Sequence, residues 1–251
     1  MQDRYAGDIG DFGKIGLLKA IQAQGLSVGV NWYRVEPMDI EKNADGAFKQ
    51  EDGKYLIPEE LRVCDVALAE ALTRIAESDN RSIYALQRED LIPNACYYDA
   101  PVTVAGRTEW HDRALEILQD AAVVFVDPDN GMLVESVGRC AAKSIKYAFY
   151  EEVADYFRRG QSVLVYNHRS RKQEAQYFHE ICSKLQEVTG VPENDILKIT
   201  FPKCSVRDYL AILASVEHRE KIEAAFMGMK QGTWGKTGMC RIPKDTLSVV
   251  G

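Results

Sequence analysis

The residues of this chain best suited to chemistry are a few aspartates, two asparagines, a histidine and a lysine. Asp127, Asp129 and Asn130 fall in residues 121–131, AAVVFVDPDNG, where an apolar run ends abruptly. Val123, Val124, Phe125 and Val126 show no polar alternation, which suits a strand buried on both faces of a parallel sheet. Pro128 cannot donate to a ladder and Gly131 relaxes the backbone, so the strand should stop at Asp127. An acid at the carboxyl end of a central parallel strand sits where open α/β sheets hold ligands. The competing reading is a plain turn, since all five residues of the Asp-Pro-Asp-Asn-Gly run are turn formers. Two carboxylates after so apolar a strand favour function over a bare turn.

Asn167 and His168 end a second apolar run, residues 161–166 (QSVLVY). In a parallel sheet the carboxyl ends lie on one edge, so neighbouring strands would bring these residues beside Asp127, Asp129 and Asn130. Carboxylates, an amide and an imidazole around a crevice make an active-site constellation. For His168 alone, a satisfied surface group is the ordinary alternative. Asp8, Asp11 and Lys14 recur every three residues in the opening YAGDIGDFGKIGLLKAIQAQG, residues 5–25. One helical turn places such residues on one face. Acids that merely suit the helix dipole would look the same, but Gly7, Gly10 and Gly13 are costly there unless backbone must approach something closely.

The elements that must position these groups follow from periodicity. After a glycine-rich N-terminal helical segment (1–25), residues 26–35 (LSVGVNWYRV) read as the first strand. A polar stretch over 36–55 reads as a long loop with its strongest turn at 43–46, and loops of that length are usually functional or disordered. Pro58 opens a helix to Glu77. Strands are expected at 81–86 and 95–104, and a helix at 108–119 feeds the central strand. Residues 132–149 form a flap beside the acidic motif. A helix over 150–159, the strand 161–166, a helix over 172–189, strands at 196–201 and 209–214 and a helix over 218–229 complete the order. Alternating apolar strands and helices imply one Rossmann-like, doubly wound α/β domain over 1–251, with a mainly parallel sheet.

The 251 residues suffice for one such domain, and 46% hydrophobic with 27% charged residues is ordinary for a globular chain. A net charge of −7 argues against duplex binding through a broad basic surface, although a local basic groove stays open. No apolar stretch reaches the length of a membrane span and no signal-peptide pattern opens the chain, so a cytoplasmic protein without membrane contact is expected. The six cysteines lack metal spacing and are expected as free thiols.

The strand followed by Asp127-Pro128-Asp129-Asn130 resembles the Asp-Pro-Pro-Tyr motif of S-adenosylmethionine-dependent amino-methyltransferases. Residues 6–14, AGDIGDFGK, resemble the Ala-Gly-Asn-x-Ala-Asp-x-x-Lys opening of ribosomal-RNA adenine-N6 methyltransferases of the RlmJ type. A late Lys236-Thr237-Gly238-Met239 before Ile242-Pro243 adds to the similarity, as does a set of bacterial proteins sharing both short motifs. The resemblance implies a class I methyltransferase-like fold, S-adenosylmethionine as cofactor, and an amine acceptor on a small molecule or nucleic acid. It implies that Asp127 accepts a hydrogen bond from the acceptor amine, with Asp129, Asn130, His168 and Lys14 around it. The cofactor would lie against the first strand and its sequel, touching Asp8, Asp11, Trp32, Tyr33 and Asn167. Asp129 stands where that motif has its second proline, Asn130 stands where it has its aromatic, and residues 35–39 after the first strand hold no glycine.

Two other readings remain open. Asp8, Asp11, Asp127 and Asp129 could hold a hard divalent ion such as Mg²⁺ in a hydrolase or nuclease, with Lys14 or His168 near a phosphate. The chain could also be a Rossmann-like binding module that has lost catalysis.

Overall fold

The computed structural model describes residues 1–36, 55–169 and 172–243. In chain order it holds helix α1 (Ile9–Gln22), strand β1 (Val28–Asn31), and helices α2 (Glu59–Arg62), α3 (Val66–Glu77) and α4 (Ile83–Arg88). Strand β2 (Cys96–Tyr98), helix α5 (Arg107–Ile117) and strands β3 (Val123–Val126), β4 (Gly131–Met132) and β5 (Tyr147–Ala148) follow. Helix α6 (Tyr150–Arg158), strand β6 (Ser162–His168) and helix α7 (Glu174–Thr189) lead to strands β7 (Ile196–Phe201) and β8 (Arg207–Ile212). Helices α8 (Val216–Gln231) and α9 (Thr233–Lys236) come last.

The main sheet has six strands in the order β2-β1-β3-β6-β8-β7. The strands β2, β1, β3 and β6 run parallel, whereas β8 is antiparallel to both β6 and β7. The result is an α/β fold with a mixed, mostly parallel sheet and helices on both faces. One face buries apolar residues of α1, α3 and α8 against Val30, Phe125, Leu164 and Tyr209. The other buries those of α5, α6 and α7 against Val124, Val126, Val163 and Val165. With both faces covered, β3 is buried at every position, which is why its sequence shows no alternation. From β1 the chain moves outward to β2 and returns to β3 on the other side of β1. Strand order therefore reverses between β1 and β3, the place where such sheets open a crevice at their carboxyl ends.

Several expectations are corrected. Residues 81–86 are not a strand. The Ser82 side chain accepts from the Ala85 N–H and starts α4, and Ile83 and Leu86, three apart, are its buried pair. The helix expected from Pro58 to Glu77 is two helices, because Asp65 caps a fresh start by accepting from the Leu68 N–H at 3.0 Å. Strand β1 spans four residues, fewer than the ten expected. Strand β6 runs past Tyr166, since Asn167 and His168 pair with Asp208 and Arg207 of β8. The long loop and its turn at 43–46 lie outside the described residues. Beside the acidic motif, β4 and β5 pair in parallel, and Asn130 N–H donates to the Lys146 carbonyl at 2.9 Å. Cys64, Cys96, Cys140, Cys182, Cys204 and Cys240 are free thiols. Among the described residues no helix is long and apolar enough to cross a membrane.

Candidate functional site

The first turn of α1 comes to the carboxyl edge of β3 because that helix packs unusually close to its neighbours. A Cβ at Gly13 would lie 2.7 Å from the Phe201 ring, and one at Gly16 would collide with Trp234. The Asp8 side chain caps α1 by accepting from the Asp11 N–H at 3.0 Å. One turn on, Lys14 points its ammonium between two carboxylates. Its Nζ donates to Asp11 Oδ1 at 2.8 Å and to Asp127 Oδ2 at 2.6 Å. All three side chains are buried. The ammonium also lies 5.2 Å from the Trp32 ring centroid and 5.8 Å from that of Tyr166, within cation–π range.

Asp129 faces a different cation. The Met1 amino group lies 3.0 Å from its Oδ1 and also donates to the carbonyls of Tyr33 (2.9 Å) and Asp127 (3.1 Å). Gln2 Nε2 donates to the other carboxylate oxygen. Met1, Gln2, Asp127 and Asp129, with Asp8, Asn130, Lys146, His168 and Arg207, line a cavity of about 310 Å³ at the β3 edge.

Electrostatics differ sharply from acid to acid. Burial, followed by the nearby Asp11 charge, raises Asp8 from 3.8 to about 6. Burial also raises Asp127, against the pull of the Lys14 ammonium. On Asp129 burial works upward, but the Met1 amino group wins and holds the carboxyl below its ordinary value. Burial would lower Lys14, yet Asp11 and Asp127 hold it well above 10.5, so it is an ammonium at neutral pH. Burial and then Arg207 lower His168, whose ring is neutral at pH 7.

Seven of the ten residues singled out from sequence thus share one cavity: Asp8, Asp11, Lys14, Asp127, Asp129, Asn130 and His168. Trp32, Tyr33 and Asn167 do not line it. Trp32 stacks on Tyr97 with the rings 3° from parallel. Tyr33 lies on the other face, its hydroxyl donating to Glu152 at 3.0 Å. Asn167 also turns to that face, because neighbours along a strand point oppositely, and its Oδ1 accepts from the Met132 N–H at 2.8 Å. Among the described residues, no group of three or more His, Cys, Asp or Glu side chains is placed to hold a metal ion.

Sequence reasoning missed Tyr166, Lys146 and above all Arg207. Arg207 enters through the antiparallel pairing that sets it opposite His168. The nearest available signal was the pair of polar extensions, Asn167-His168 and Arg207-Asp208, on two apolar runs; β6 and β8 set them opposite each other although α7 and β7 lie between the two strands in the chain.

Fold and site together define an α/β protein with a buried, mixed-charge cavity at the switch point of its sheet. The chain matches no protein-family model, and no curated protein matches it.

Proposed function

We propose that this protein is an S-adenosylmethionine-dependent amino-methyltransferase acting on an exocyclic amine, of a small molecule or a nucleobase. One observation carries the reading. The two motifs that resemble such enzymes, one at each end of a 113-residue separation, meet where Lys14 bonds Asp127. They do so at the carboxyl end of β3, beside the strand-order reversal.

The cavity's donor set fits the cofactor, a zwitterion with an added cationic sulfur. Asp8 and Asp129 supply carboxylates, and Arg207 and Lys146 supply cations. The volume of about 310 Å³ is at the small end of ligand pockets. When bound, the cofactor would supply an electrophilic methyl group. Asp127 would accept a hydrogen bond from the acceptor amine and orient its lone pair. Lys14, fixed by Asp11, would hold Asp127 in place and oppose the upward pull of burial on its carboxyl. The neutral His168 ring would take the proton released as the new N–C bond forms.

Calorimetric titration of the full chain with S-adenosylmethionine and with its demethylated product tests this directly. Binding of both supports the reading. The absence of heat at millimolar ligand would overturn it.

A further inference from the structure

Asp8 and Arg207 are opposite charges in one cavity that do not meet. They are only 7% and 6% exposed, and both line the cavity at the β3 edge. Each feels the other's field, but among the described residues neither closes an ion pair. Gly10 lies against both. A Cβ there would stand 2.9 Å from Asp8 Oδ1 and 3.2 and 3.3 Å from Arg207 Nε and Nη2. The two groups therefore flank one bare Cα in the first turn of α1, and Gly10 lines the same cavity.

Each group has one part engaged and another open. Asp8 Oδ1 accepts from the Asp11 N–H, whereas Asp8 Oδ2 takes no hydrogen bond and keeps accessible surface in the cavity. Arg207 Nη1 donates to the carbonyls of Lys203 (3.2 Å) and Ser205 (3.3 Å), which fixes the guanidinium. Its Nε–Nη2 edge, the one against Gly10, remains, with the Tyr166 hydroxyl beside the group. Such an edge grips a carboxylate through two parallel hydrogen bonds. A buried charge short of a partner is unfavourable, and a ligand carrying both charges would satisfy the two at once. An α-amino acid holds its ammonium and carboxylate on one carbon, the spacing that suits a gap across a single Cα.

We infer that this cavity is a site for a free α-amino acid, its ammonium on Asp8 Oδ2 and its carboxylate on the Arg207 Nε–Nη2 edge. The site stands apart from methyl transfer, since it uses neither Lys14 nor Asp127. Arg207 also lies on β8, on the far side of β3 from β1, the strand expected to carry the cofactor.

Saturation-transfer NMR on the full chain at pH 7.5 tests it, with the standard L-amino acids as probes. At least one should bind at millimolar concentration. Its N-acetyl form, which lacks the ammonium, and its amide, which lacks the carboxylate, should each bind about tenfold more weakly, the worth of one charge-assisted hydrogen bond. Asp8→Asn keeps the helix cap and Arg207→Lys keeps the positive charge, and each should weaken the amino acid by about tenfold. Thermal unfolding confirms that each variant folds. No transfer to any free amino acid overturns the inference, even if S-adenosylmethionine binds. So does equal binding of the N-acetyl and amide forms, or binding unchanged in both variants. An amino acid that binds where S-adenosylmethionine gives no heat supports this site and overturns the methyltransferase reading alone.

Discussion

Lys14 Nζ and Asp127 Oδ2 lie 2.6 Å apart, with both side chains removed from water. Asp11 completes the arrangement on the other side of the ammonium at 2.8 Å. Both acids bond the one ammonium, so the trio depends on its cation. Lys14→Met should leave two adjacent buried acids and cost about 3–5 kcal/mol in urea unfolding. Adding Asp127→Asn should restore part of that loss, and a double-mutant cycle would measure the coupling.

Asp8 makes stability depend on pH in a specific sense. Its carboxyl titrates near 3.8 when unfolded and near 6 in the native state. Below pH 3.8 the proton is bound in both states. Between the two values the native state binds it more tightly, so stability falls as pH rises, reaching a constant deficit of about 3 kcal/mol above pH 6. Asp8→Asn keeps a capping side chain and removes the charge. Its stability relative to wild type should be near zero at pH 3.5 and rise toward that figure at pH 7.5, as read by urea unfolding at both values.

Gly131 has a φ of +98°, and a Cβ there would collide with Asn167 Oδ1 and lie 2.9 Å from Asn167 Cα. Gly131→Ala combines backbone strain with loss of the bond from Met132 N–H to Asn167 Oδ1. A destabilisation of at least about 2 kcal/mol is expected in thermal unfolding.

Arg107 fastens the segment between β4 and α6, which brings Lys146 to the cavity. It holds Glu152 bidentately at 2.6 and 2.9 Å and donates to the carbonyls of Ser144 (3.0 Å) and Tyr147 (2.6 Å). Its guanidinium lies 3.5 Å from the Phe149 ring centroid. Lysine cannot reproduce that planar fork. Arg107→Lys should speed amide hydrogen exchange at Asn130 and Leu133, which bond to the carbonyls of Lys146 and Ala148, while the amides of β3 keep their protection.

The residues that sequence made legible are those whose surroundings are uniform. β3 and residues 163–166 of β6 are apolar because helices cover both faces, and that pattern led directly to Asp127. The spacing of Asp8, Asp11 and Lys14 showed a shared face but not what the face meets, because their partner lies far along the chain. Residues 81–86 misled because RSIYAL fits a short strand as well as a helix, and only the Ser82 cap decides. Arg207 stayed hidden because register between β6 and β8 is a property of pairing, which no local pattern encodes. Trp32 and Tyr33, expected at the cofactor, alternate into the two cores.

Asn130 and His168 line the cavity at the β3 edge and also a second recess bounded by Met132, Tyr150 and Tyr177. A molecule in either space that displaces a shared residue alters the shape of the other, and thermodynamic reciprocity makes the effect equal in both directions.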